Sequence, residues 1–202
     1  MTVAMLTRSD AAEDDLSLIE AFKAGDEAAF TQLVKKYQQQ VFNLLFHYSG
    51  RKEDIEDLAQ EVFIKVYMHL ATFETRAAFR TWLYRIAINV SIDHARKRKL
   101  RRMLSLDGLT EWARERVAFK SAQMPSPQIV AEQSDLDQYI QRGLEQLPED
   151  FRKALVLRDL EGLEYDEIAT ITGWSLGTVK SRLFRGRQRL REFLKPYLEE
   201  AE

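Results

Sequence analysis

The chain has 202 residues, 45% of them hydrophobic, with 8 Gly, 4 Pro and no Cys: enough apolar mass for one large domain or two small ones, too little Gly and Pro for a collagen-like or turn-rich chain, and no thiol for a disulfide, a thiolate metal site or redox sensing. No run approaches the ~18 apolar residues of a membrane span, and the N-terminus carries Asp10, Glu13, Asp14 and Asp15 with no apolar h-region, unlike a secretory signal, so a cytoplasmic location is expected. The formal charge of −2 conceals segregation: residues 1–70 are acidic, 71–102 hold nine Lys and Arg against two acids, 103–133 are near neutral, 134–179 are acidic and 180–202 basic, the pattern of a chain that meets a polyanion at two separate places.

Helical periodicity runs through the chain. Phe30, Leu33, Val34, Tyr37, Val41, Leu44, Leu45 and Tyr48 repeat at three and four, as do Ile55, Leu58, Ala59, Val62, Phe63, Val66, Tyr67 and Leu70, and then Phe79, Trp82, Leu83, Ile86, Ala87 and Val90. These spacings predict amphipathic helices, with Gly25 and Ser49-Gly50 as breaks. After Arg102 the pattern weakens. Asp107-Gly108 and Pro125-Ser126-Pro127 mark residues 103–133 as a flexible linker, with one short helix around Glu111 to Lys120. A linker of that length divides a compact chain in two: an all-α protein with a first domain over 14–102 and a second over 134–202. In the second, Leu136, Tyr139 and Ile140 resume the period, Leu147-Pro148-Glu149-Asp150 reads as a helix start with acids at the positive dipole end, and Gly162 as a helix stop.

Two stretches carry chemistry. In residues 164–187 a short helix bears Ile168, Ala169 and Ile171, Gly173 supplies the positive φ of a tight turn and Ser175 caps the next helix. Val179 and Leu183 face inward, which is the helix-turn-helix arrangement. Thr178, Lys180, Ser181, Arg182, Phe184 and Arg185 are then left on the outer surface of a helix suited to the major groove. In residues 72–102, Phe73, Arg76, Trp82, Tyr84, Arg85 and Asn89 interleave aromatic and basic groups ahead of His94-Ala-Arg-Lys-Arg-Lys-Leu-Arg-Arg102. Rings that stack on bases and cations that follow the backbone make a single-strand surface. Asn89 lies two helical turns after Trp82 and offers a donor and an acceptor to an extruded base. The plainer reading puts Trp82 and Tyr84 in the core.

An enzyme is a weaker reading. Asp54, Asp57 and Glu61 share a helical face, but such a face is ordinarily solvated or protein-binding. His47, His69 and His94 are scattered, and no Gly-rich phosphate loop or G-x-S-x-G occurs. No cofactor, metal site or small-molecule substrate is expected. A helix-turn-helix regulator with an N-terminal interaction domain would explain residues 164–187 but not 72–102, and calls for a dimerisation helix and palindromic half-sites.

The residues resemble the extracytoplasmic-function (group 4) subgroup of the bacterial sigma-70 family. Three stretches carry the resemblance: Asp57-Leu-Ala-Gln-Glu-Val-Phe-Ile-Lys-Val-Tyr67, Phe79-Arg-Thr-Trp-Leu-Tyr-Arg-Ile-Ala-Ile-Asn89, and Leu147-Pro-Glu-Asp through Arg187. It implies sigma-2 and sigma-4 domains and no catalytic site. Asp54, Asp57, Gln60 and Glu61 would meet the clamp helices of RNA polymerase β′, and the second domain the β flap. Phe73, Arg76, Trp82, Arg85, Asn89, Arg96 and Lys97 would serve the −10 element and its melting. Thr178, Lys180, Ser181, Arg182, Phe184 and Arg185 would serve the −35 element. It also implies an anti-sigma partner, often membrane-tethered. Three departures stand out. Thr75 occupies a loop position where the family often has Gly. Glu164 replaces a Ser cap and is a poorer one. Gly186 is expected to weaken its helix by up to about 1 kcal/mol.

Overall fold

A computed structural model describes residues 14–49, 54–74, 77–105 and 135–200. All regular elements among them are helical. Helix α1 covers residues 14–23, followed by α2 (Glu27–Ser49), α3 (Ile55–Leu70), α4 (Phe79–Ser105), α5 (Asp135–Gln146), α6 (Glu149–Leu155), α7 (Tyr165–Thr172) and α8 (Leu176–Glu200). Helices α1–α4 build the first domain and α5–α8 the second. Helix α4 continues past Arg102 to Ser105. The rest of the expected linker, its short helix at Glu111 to Lys120, Gly50, Thr75 and Arg76 lie outside the described residues.

The break between α1 and α2 follows from residue chemistry. Gly25 takes φ +102°, open to glycine alone at low cost, and the Asp26 carboxylate accepts the Ala28 N–H at 2.9 Å, satisfying an otherwise orphan donor of the helix start. Asp15 is buried, accepts a hydrogen bond from Tyr37 at 2.5 Å and pairs with Lys36 at 2.7 Å, which ties α1 to α2. Burial and that carboxylate push the Tyr37 hydroxyl well above the usual range. The three apolar stripes meet in the core: Leu33, Val41, Leu44 and Leu45 of α2, Ile55, Leu58, Val62 and Val66 of α3, and Leu83, Ala87 and Val90 of α4 are all buried. Tyr67 departs from its stripe. It is exposed, lies edge-on to Phe22 and Phe30, and donates to Glu27.

In the second domain Pro148 flanks the start of α6, with Glu149 and Asp150 in its first turn. The helix widens into a π turn over Val156–Leu160, and Gly162 at φ +67° ends it. Glu164 proves less costly than its side chain suggests, because it forms a capping box with Glu167, whose side chain accepts the Glu164 N–H at 2.8 Å. Gly173 at φ +73° makes the turn after α7, Ser175 accepts the Thr178 N–H at 3.2 Å, and Val179 and Leu183 are buried.

Gly186 needs a different account from helix weakening. A Cβ there would stand 3.2 Å from Leu155 Cγ and 3.4 Å from Phe151 Cβ, so the glycine sets how closely α6 approaches α8. Leucine at this position has no room, and Gly186→Leu is expected to destabilise the protein by about 1–3 kcal/mol through overpacking, read as a lowered midpoint in thermal unfolding.

The two domains touch. Helix α4 packs on α7, and α2 packs on α5 and the π turn.

Candidate nucleic-acid interface

The aromatic-basic stretch forms one side of a cleft of about 540 Å³, lined by Phe73, Trp82, Arg85, Ile86, Asn89 and, from α7, Thr170. Phe73 is buried, with its ring 5.0 Å from that of Trp82 and 5.9 Å from that of Phe79, and its carbonyl accepts from Lys23 at 3.2 Å. It is a wall of the cleft and a piece of core at once. Trp82 is half-buried and lies at the boundary, which reconciles its place on the apolar stripe with a stacking surface. Tyr84 is buried, as the plainer reading of the stripe has it. Arg85 and Asn89 are exposed, four residues apart on one face of α4, and neither has an ion pair or side-chain hydrogen bond to another described residue. Arg96 and Lys97 are likewise exposed on the same helix. Arg96 lies seven residues beyond Asn89, two turns along one side. Arg98 reaches instead toward Asp54, at 3.6 Å.

The second surface is the outer side of α8. Lys180, Ser181, Phe184 and Arg185 are exposed, and Phe184 keeps 71% of its surface. Lys180 and Arg185 have no ion pair among the described residues. Thr178 and Ser181 bond locally, Thr178 with the cap Ser175 and Ser181 with the Thr178 carbonyl. Arg182 is turned inward. Its guanidinium lies 3.8 Å from the centre of the Trp174 ring and 2.6 Å from Asp150. Arg187 makes two hydrogen bonds to Asp159, at 3.0 and 2.6 Å, and that carboxylate holds its pKa above the ordinary value. The helix thus divides its cations between internal ties and a free outer row.

On α3, Asp57 is exposed without an ion pair among the described residues, Gln60 is half-buried, and Glu61 pairs with Lys65 at 3.1 Å. The face continues one and two turns on into Ile64, 51% exposed, and Met68, 69% exposed. Sequence reading passed over both. The signal was there: apolar residues four and eight after Gln60, on the polar side of the stripe. Thr72, the first residue of the aromatic-basic stretch, also lines the cleft, while His69 and Thr170 were missed there, and Thr170 is brought in only by packing between domains. Among the described residues no group of His, Asp or Glu is arranged to hold a metal ion, and no helix is long and apolar enough to cross a membrane.

The inward setting of Arg182 has a measurable consequence. Arg182→Met keeps the stem and removes the charge, so it loses a cation–π contact and a partly exposed ion pair. A loss of about 1–2 kcal/mol is expected, seen as a lower unfolding midpoint, whereas Lys180→Ala and Arg185→Ala leave the midpoint nearly unchanged. An Arg182→Met protein as stable as the parent would show that these contacts contribute nothing.

Comparison with known proteins agrees with this division. Residues 33–101 match Sigma-70 region 2 and residues 137–190 match Sigma-70 region 4. The chain is 39% identical to the RNA polymerase sigma-H factor of Pseudomonas aeruginosa over 190 residues, covering 94% of this chain and 98% of that one. It is 37% identical to the ECF RNA polymerase sigma-E factor of Escherichia coli over 186 residues, 91% and 96% of the two chains. Its fold is similar to that of the sigma factor RpoE solved in complex with the anti-sigma factor NepR from Bartonella quintana, with TM-score 0.65, 29% identity and coverage of 82% and 96%. With both sigma regions present in order and these relatives matched nearly end to end, the chain belongs to the extracytoplasmic-function subgroup of the sigma-70 family of RNA polymerase sigma factors.

Proposed function

We propose that the cleft on α4 captures an unpaired base of the −10 element, that α8 reads the −35 element with Lys180, Ser181, Phe184 and Arg185, and that the acidic face of α3, extended by Ile64 and Met68, docks on core RNA polymerase. The observation that carries this reading is that Trp82, Arg85 and Asn89 line one cleft whose helix goes on to exposed Arg96 and Lys97, on the same chain as a helix-turn-helix with a free basic row. A dimeric regulator would leave the cleft without a use. Arg182 and Phe73 enter as positioning residues, one holding the recognition helix and the other the cleft wall. The protein acts as a non-catalytic subunit in the cytoplasm, where polymerase and chromosome are. By likeness to the NepR-bound relative, an anti-sigma factor withholds it from polymerase, and holds it at the membrane where that factor is membrane-anchored.

Melting on this scheme is driven by binding energy. Unstacking a base costs a few kcal/mol. A stacking contact returns about 1–3 kcal/mol, and phosphate contacts from Arg96 and Lys97 add to it. The defining test is runoff transcription by core polymerase with and without this chain on a genomic promoter library, where a distinct promoter set must appear only when it is present. Within that assay, Asn89→Ala is expected to spare core binding and −35 duplex binding, and to weaken a −10 non-template oligonucleotide by about tenfold, a loss of about 1.4 kcal/mol. Permanganate reactivity of unpaired thymines should fall in parallel. Parent-like melting and parent-like −10 preference would remove Asn89 from the pocket. Charge reversal by Asp57→Lys with Glu61→Lys should weaken the complex with core polymerase in a pull-down, with helicity unchanged. Unchanged affinity would remove the α3 face from that interface.

A further inference from the structure

Among the described residues, helix α1 supplies none of the side chains that line the cleft, yet both of its ends are tied to the cleft's aromatic wall. Near its start the buried Asp15 accepts from Tyr37, whose ring lies 5.2 Å from that of Phe79, and Phe79 braces Phe73 and Trp82. At its end the Lys23 ammonium donates to the Phe73 carbonyl at 3.2 Å, across 50 residues of chain. That carbonyl belongs to the turn that leaves α3. The Thr72 and Phe73 N–H groups bond back to the His69 and Leu70 carbonyls at 3.1 Å each, and the Thr72 hydroxyl donates to the His69 carbonyl at 3.0 Å. These bonds close the turn toward α3, and Lys23 holds it from the side of α1. Thr72, Phe73 and Glu74 all line the cleft, so the setting of this turn is the setting of the wall.

The chemistry of Lys23 suits a strut better than a grip on phosphate. An ammonium has three N–H donors. Lys23 directs one to Phe73 and another to Glu20, at 2.9 Å, so a carboxylate of the same helix offsets its charge. A charged donor makes a stronger bond to a carbonyl than a neutral one does, and carbonyls at the end of a helix gain most from a cation. The Phe73 ring is fixed separately, against Trp82 and Phe79. Without the Lys23 bond, what loosens is the peptide that carries the chain from Phe73 to Glu74.

We propose that Lys23 is a positioning residue of the −10 cleft: by holding the Phe73 carbonyl it sets the turn that carries Thr72 and Glu74 into the wall, and through that wall the choice of base. This inference rests on the reading of the cleft as a base pocket, but its first measurement does not. Amide hydrogen exchange, followed by NMR on the free protein, reads the turn directly. Lys23→Met keeps the stem and removes the donor. It should speed exchange of the Thr72 and Phe73 amides about three- to tenfold, the scale of one net hydrogen bond, and Lys23→Arg should restore the parent's rates. Binding of −10 non-template oligonucleotides that differ at one base then reads the wall. The spread of affinity between best and worst base should narrow about three- to tenfold in Lys23→Met and recover in Lys23→Arg, with an unchanged salt slope and parent-like −35 duplex binding. Unchanged exchange overturns the proposal, since Lys23 would not hold the turn. So does faster exchange with the parent's spread of affinities, because the turn would then not set the choice of base. Loss on every oligonucleotide alike, with the salt slope reduced by about 0.7, also overturns it, since Lys23 would then be a phosphate contact. Asn89→Ala serves as the control for the cleft. If oligonucleotide binding is parent-like in that variant too, while exchange in Lys23→Met rises as expected, the base-pocket reading is what fails, and the proposal falls with it although Lys23 holds the turn.

Discussion

Helix α4 has to satisfy three environments along one length, and much of the molecule is arranged around that constraint. Successive residues turn by about 100°, so neighbours in sequence face different surroundings. Leu83, Ala87 and Val90 enter the core against α2 and α3. Arg85 and Asn89 face the cleft, and Thr81 and Tyr84 face the second domain. Losing a leucine from the first set would cost about 2–5 kcal/mol, a large part of a small domain's stability. The core side therefore fixes the rotation of the helix, and the other two faces inherit their aim from it. Trp82 stands where core and cleft meet, braced by Phe73 and Phe79, so the ring proposed as a stacking surface is held rigid at little extra entropic cost.

Helix α8 meets the same problem with charge. A basic helix that must bind DNA also needs attachment to its own domain, and cations are poor material for a core. Arg182 and Arg187 resolve this by meeting carboxylates at the edge of the domain, Asp150 and Asp159, and in the case of Arg182 the face of Trp174. Gly186, four after Arg182, lets Leu155 and Phe151 of α6 come close on that same side. With the inner row neutralised by partners, Lys180 and Arg185 keep their charge for a ligand.

What could be read from the amino-acid sequence was what depends on local rules. Three apolar stripes, the turn glycines Gly25 and Gly173 and the cap Ser175 each follow from backbone geometry or period, and each is found in place. What escaped depends on a partner distant in sequence. Tyr67 fits its stripe by spacing, but Phe22 and Phe30 hold it outside. Gly186 looked like a weak point because nothing nearby announces the approach of α6. Arg182 sits in register with the residues expected to face DNA, and only the positions of Trp174 and Asp150 turn it inward. Glu164 is a poor cap by residue type, and only the Glu167 carboxylate that accepts its N–H makes the helix start a good one. In the cleft, Trp82, Arg85 and Asn89 could be found from one helix. Thr170 could not, because it belongs to the other domain.

The charge pattern gains its meaning from geometry. Among the described residues each proposed DNA surface shows only a few cations without an ion pair, Arg85, Arg96 and Lys97 on α4 and Lys180 and Arg185 on α8, and affinity that rests on a few phosphate contacts is modest at physiological salt. Two modest sites on one chain become strong when both can bind at once, because the second event is then intramolecular, and the gain vanishes when the geometry forbids simultaneous engagement. Segregating charge along the chain gathers cations at each site, while the acids of residues 134–179 keep the average near neutral. On the proposed reading of the two surfaces, the spacing between them therefore bears on DNA binding more than any single residue in either site does.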